Sequence, residues 1–294
     1  MSPQKKVSLF LILTLLFSTL SYFPILRAGT IGVQGGLFVF TLMWSPGLAA
    51  LLTQLIATRS LRGMGWRLGS IRWLRIAWIL PVVYALPAYA FTWLTGLGIF
   101  PNPARIARLA EEYSSTSTAT TVGIFVLFSL TLDMVGPLLS ALGEEIGWRG
   151  LLVPELAKTT SFNKTALISG IVWAAWHMPG IFLADLNGTG TPNVYAAAMF
   201  AVMIIALSFP FAWLTLKSGS LWPAVILHAF HNQLIQGILD KLTGVTAVTP
   251  YITGEFGIGL ALTGLVVGYV FLRMQQNIFL HTHQVQTQPV VQPE

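Results

Sequence analysis

Three stretches of this sequence place ionisable or amide side chains inside long apolar runs: Gly143-Glu144-Glu145-Ile146-Gly147-Trp148-Arg149-Gly150, Trp173-Ala174-Ala175-Trp176-His177 and His228-Ala229-Phe230-His231-Asn232. Carboxylates and imidazoles are the groups that move protons and activate water. Asn amides and imidazole N–H groups can donate to a developing oxyanion. Helical spacing divides the roles. Glu145 and Arg149 are four apart, share a face and can form an ion pair. Glu144 points about 100° away from Glu145 and is free for a different partner. Trp173 shares a face with His177, as His228 does with Asn232. Two adjacent carboxylates do not both ionise cheaply in a low dielectric unless one is neutralised, which Arg149 would do for Glu145. Glu144 is then the tunable base, and His231, three residues from His228, is a supporting partner.

The elements that carry these residues follow from composition. The chain has 294 residues, 54% hydrophobic and 9% charged, against about 25% charged in an ordinary soluble domain. So little charge cannot coat a globule of this size, whereas apolar stretches of about 20 residues span a bilayer. A soluble enzyme, a disordered chain and a collagen-like fibre are excluded. With no cysteine there is no thiolate nucleophile, disulfide framework or Cys-based metal site. Apolar runs at 7–26, 32–57, 76–100, 121–148, 165–184, 194–216, 221–239 and 255–272 predict about eight transmembrane helices: an all-α polytopic membrane protein around a polar intramembrane cavity, one membrane domain over 1–294 with a polar C-terminal tail at 273–294. His281 and His283 fall in that tail as solvated residues.

Depth brings the three stretches together. At 1.5 Å per residue, His177 lies about 18 Å from the start of its helix, and His228 and Asn232 about 10 and 16 Å into theirs. Glu144 lies about 15 Å before Pro154, where the fourth helix is expected to end. Singly, each polar residue reads as interhelical glue. A Glu pair, an Arg, two His and an Asn at one depth exceed what packing needs, and ionisable groups at that depth mark function.

Sixteen Lys and Arg against ten Asp and Glu give a net charge of +6. With the N-terminus in the cytoplasm, twelve basic residues fall inside and only Arg27, Arg105, Arg108 and Lys241 outside. This is the positive-inside pattern, with both termini cytoplasmic in a cell-membrane protein. The Arg59 to Arg75 segment, with five Arg, no acid, Trp66 and Trp73, should lie along lipid headgroups. The basic balance thus points to membrane lipids as partners, with no nucleic acid. Residues 101–120 read as a polar surface connector, and Pro223, after Ser218-Gly219-Ser220, suits the first turn of the seventh helix.

Glu144-Glu145-x-x-x-Arg149, an aromatic four residues before His177, and His228-x-x-x-Asn232 on helices four, five and seven resemble the CPBP intramembrane protease family. That family holds the CAAX prenyl proteases of the Ras-converting type and bacteriocin-processing or immunity relatives. The resemblance is specific from Leu142 to Asn232, within a family-specific core at 121–239. Trp173 stands where Phe is usual. The resemblance implies an endopeptidase acting on a membrane-embedded or lipidated peptide, with Glu144 as general base, His177 helping to hold the water, and His228 and Asn232 stabilising the oxyanion. No cofactor is then required. A rival mechanism places zinc on Glu144, His177 and His228, since two His and a Glu with one open position form a catalytic zinc pattern. Two non-protease readings stay open: a proton-coupled transporter, and a catalytically silent immunity or scaffold protein.

Overall fold

The computed structural model describes residues 1–28 and 36–274; His281, His283 and most of the C-terminal tail lie outside them. The described residues are helical, joined by turns and a single isolated bridge between Ile99 and Gly244. In chain order the helices are α1 (Pro3–Ala28), α2 (Gly36–Thr58), α3 (Ile71–Leu94), α4 (Pro103–Glu112), α5 (Thr118–Leu130) and α6 (Val135–Gly147). A π-helical turn, Trp148–Leu152, leads into α7 (Val153–Ala157), followed by α8 (Phe162–Leu183), α9 (Asn193–Ser218) and α10 (Trp222–Asn232). A second π-helical stretch, Gln233–Leu239, joins α10 to α11 (Asp240–Leu242); α12 (Thr249–Ile252) and α13 (Ile258–Arg273) close the fold.

Among the described residues six segments are long and apolar enough to cross a membrane, including the run from Thr118 to Ala157. The expected seventh span is the α10–α11 segment, interrupted by its π stretch, and the eighth is α13, with 16 residues. Exposed Leu15, Leu20, Leu94 and Val266 supply lipid-facing surface. Aromatic and Leu side chains of α8, α9 and α10 form the centre of the main core.

Local sequence explains the boundaries. Ser70, Ser117 and Ser161 cap α3, α5 and α8, each accepting a backbone N–H of the first turn, and Gly219 ends α9 at φ +64°, a left-handed conformation that costs glycine little. Pro223 occupies the first turn of α10.

Three expectations need correction. The fourth span does not end at Pro154. The wider π turn precedes that proline, whose missing N–H falls in the first turn of α7, where no intrahelical partner is needed. The same span is broken earlier, by a 3₁₀ turn at Leu132–Met134 between α5 and α6 that contains Asp133. The 101–120 connector holds a helix, α4, with Asn102 as N-cap and Pro103 in its first turn.

The two ends of the bundle are distinct. At one, Lys6 pairs with Glu155, and the arginine-rich loop packs on the start of α10: Leu221 N donates to Gly65 O at 3.0 Å and Trp222 Nε1 to Trp66 O at 2.7 Å. At the other, Asn102 N donates to Leu242 O at 2.8 Å and Tyr195 OH to Tyr251 O at 2.6 Å.

Candidate active site

Gly143 and Gly147 set the position of the Glu pair. A Cβ on Gly143 would lie 2.8 Å from Trp44 Cγ, and one on Gly147 would lie 2.6 Å from Pro46 Cβ. Only glycine lets α6 approach α2 this closely, a small-xxx-small contact that fixes which face of α6 meets α2. Glu144 and Glu145, between these glycines, are turned away from α2 into the bundle, and both are buried. The π turn begins immediately after Gly147 and carries Arg149; π turns recur at functional sites because the extra residue re-aims side chains.

Arg149 Nη1 donates to both oxygens of Glu145, at 2.8 and 3.0 Å. Its guanidinium lies 4.2 Å from the Trp173 ring centroid and 4.1 Å from that of Phe211. Glu145 Oε1 also meets His228 Nδ1 at 2.9 Å. Glu145 is therefore saturated by one cation and one imidazole.

Glu144 has a different environment. Its Oε2 accepts from Trp173 Nε1 at 2.8 Å and from Trp148 Nε1 at 3.3 Å, while Oε1 lies 4.0 Å from His228 Nε2. Two indole donors anchor one oxygen and leave the other facing His228. That 4.0 Å separation is too long for a direct hydrogen bond.

Both histidine rings are oriented by their Nδ1 atoms. His177 Nδ1 lies 2.9 Å from Trp173 O; a carbonyl only accepts, so Nδ1 carries the proton and Nε2 is the free nitrogen of the neutral ring. His228 Nδ1 is engaged by the Glu145 carboxylate, so its Nε2 donates only when the ring is an imidazolium. An imidazole N–H given by His228 Nε2 to an oxyanion is therefore that of the protonated ring.

Glu144, Trp173, His177, His228 and Asn232 all line one cavity of about 620 Å³. Glu144, Glu145, Arg149, Trp173 and His228 are in direct contact through the bonds above, and His177 and Asn232 contribute to the same cavity wall. His231 is placed differently. Its Nδ1 meets Tyr84 OH at 2.6 Å and its Nε2 meets Glu255 Oε1 at 2.8 Å, so its ring nitrogens serve α3 and the loop before α13 instead of the Glu144 cluster. Glu255 also accepts from Gln236 Nε2 at 2.9 Å. Burial raises the Glu255 carboxyl, but the hydrogen bonds from His231 and Gln236 outweigh it and hold the group below its ordinary value.

Trp148, Glu255, Tyr84 and the glycine contact were not singled out by sequence reasoning. The Gly143-x-x-x-Gly147 spacing was the available signal for the last. The zinc alternative requires Glu144, His177 and His228 to converge on one point. Among the described residues no group of three His, Asp or Glu side chains is arranged to hold a metal ion; the Glu145 bond to His228 Nδ1 leaves Nε2 free, and the cation beside the carboxylate pair is Arg149.

Residues 124–234 match the family described as Type II CAAX prenyl endopeptidase Rce1-like. The chain is also 28% identical over 149 residues to CAAX prenyl protease 2 of Methanococcus maripaludis, covering 48% of this chain and 52% of that protein. It thus spans about half the length of the curated relative it matches. The matched segment contains every residue of the Glu144 cluster together with His177 and Asn232, so the likeness to the Rce1-like CAAX prenyl endopeptidases falls on the site itself.

Proposed function

We propose that this protein is an intramembrane endopeptidase that hydrolyses a peptide bond of a membrane-associated or lipidated substrate with a water activated by Glu144. The observation that carries this reading is the unequal treatment of two adjacent carboxylates. Glu145 is neutralised by Arg149 and His228, while Glu144 keeps one oxygen on two indoles and the other toward the cavity. Glu144 takes the proton of the attacking water. His177 Nε2 accepts from that water and helps to hold it. As the scissile carbonyl becomes an oxyanion, the Asn232 amide and a protonated His228 donate to it, and preorganised donors strengthen as charge develops. Glu144 then returns the proton to the leaving amine. No step of this reading calls on a metal or cofactor.

The family match and the named relative favour this over a transporter or a silent scaffold. The experiment is turnover by purified protein in detergent against a library of quenched, lipid-anchored peptides. Cleavage at a defined bond is expected. Binding of peptides without any cleavage would favour the silent scaffold.

A further inference from the structure

The cavity and the arginine-rich loop lie toward opposite ends of the bundle. Directly beyond Arg149, the arginine end is plugged. Met64 is 2% exposed and Leu221 and Trp148 are fully buried. A Cβ on Gly150 would lie 3.4 Å from Met64 O, so the loop presses on the π turn itself. No residue of that loop is among those lining the cavity. The lining instead runs outward to Ile25 near the end of α1, Leu186 beyond α8, Lys241 in α11 and Glu255 before α13. All four belong to the end where Asn102 meets Leu242 and Tyr195 meets Tyr251.

Charge separates the same two ends. Apart from Arg149, which pairs with Glu145 inside the bundle, eleven Lys and Arg from Lys5 to Arg273 lie at the arginine end, with Glu155 as an acidic partner of Lys6 and Lys158. The other end has four, Arg27, Arg105, Arg108 and Lys241, among Glu111, Glu112, Asp185, Asp240 and Glu255. This asymmetry orients the arginine end toward the cytoplasm. The cavity walls also differ. Asn232, Gln233, Gln236 and Lys241 follow one another along α10, the π stretch and α11, whereas Leu42, Leu186 and Phe200 form an apolar surface. A peptide with an apolar anchor fits both walls, with its backbone polar groups on the amide side and its anchor on the other.

We infer that the cavity admits its substrate from the non-cytoplasmic end of the bundle, as a peptide anchored in the outer leaflet, and not as a lipidated chain terminus presented on the cytoplasmic surface. This rests on the peptidase reading of the site but is tested without turnover. The chain contains no cysteine, so single thiols report accessibility directly. Arg62→Cys probes the arginine loop, Lys241→Cys the opposite rim, and Ser140→Cys, one turn before Glu144, the cavity interior; Met43→Cys, on the same cavity wall region, is a second interior probe should Ser140→Cys misfold. In intact cells treated with a membrane-impermeant maleimide, Lys241→Cys and the interior thiol should be labelled, and Arg62→Cys only after permeabilisation. Labelling of Arg62→Cys in intact cells, or failure of Lys241→Cys or of a folded interior variant to react there, would overturn the inference. The expected labelling in a protein that cleaves no peptide would count against the peptidase reading alone.

Discussion

Arg149 Nη1 holds both carboxylate oxygens of Glu145 one helical turn away, at 2.8 and 3.0 Å, with neither side chain exposed. Removing one member of such a pair leaves an uncompensated buried charge, at a cost of about 3 to 5 kcal/mol. Arg149→Ala should therefore lower the melting temperature markedly and reduce activity with it. A melting temperature equal to that of the wild type would show that Arg149 acts on substrate instead of on Glu145.

Trp173 contributes a hydrogen bond that Phe cannot, its indole N–H lying 2.8 Å from Glu144 Oε2. A hydrogen bond to a charged group is worth roughly 1.5 to 3 kcal/mol. Trp173→Phe keeps an aromatic face for Arg149 and leaves Trp148 as the remaining donor. The expected result is a fall in kcat of about tenfold or more with KM nearly unchanged. An unaltered kcat would mean that the 3.3 Å bond from Trp148 suffices to position the carboxylate.

Glu255 gives the fold a dependence on pH. Its carboxyl is held below the ordinary value by His231 and Gln236, against the opposing effect of burial. A group depressed in the folded state adds stability above its unfolded value, about 4.3, and loses it as pH falls through the folded value. Glu255→Gln should thus destabilise the protein near neutral pH, and the difference from wild type should shrink below about pH 4. Melting curves across that range provide the check; a difference independent of pH would place the effect in packing.

Much of this arrangement is readable from spacing alone. The four-residue interval from Glu145 to Arg149 fixes their common face, and the neighbouring position of Glu144 turns it elsewhere. Pro223 after Ser220 marks the start of α10 for the same kind of local reason. Other features have no such signature. A π turn adds one residue to a hydrogen-bonded ring without altering the apolar pattern, so neither Trp148–Leu152 nor Gln233–Leu239 is visible before folding. His231 depends on tertiary closure, since Tyr84 and Glu255 are distant in sequence. In α4 the signals, Asn102 followed by Pro103, were present but outweighed by the polar composition around them.

Asn232 separates the two hydrolytic mechanisms. As an oxyanion donor its truncation to Ala should reduce kcat by roughly 10² to 10³ with little change in substrate affinity. Dialysis against a strong chelator should leave activity unchanged. Inactivation by the chelator with restoration by zinc, together with a mild effect of Asn232→Ala, would establish the metal-dependent route.

The central claim is that Glu144 is the base, and the most direct measurement is single-turnover cleavage by purified Glu144→Gln beside wild type. Gln keeps the shape and can still accept from the two indoles, but it cannot take a proton from water. A folded protein with a wild-type-like melting temperature, retained peptide binding and no detectable cleavage is expected. Cleavage by Glu144→Gln at a rate close to wild type would contradict it.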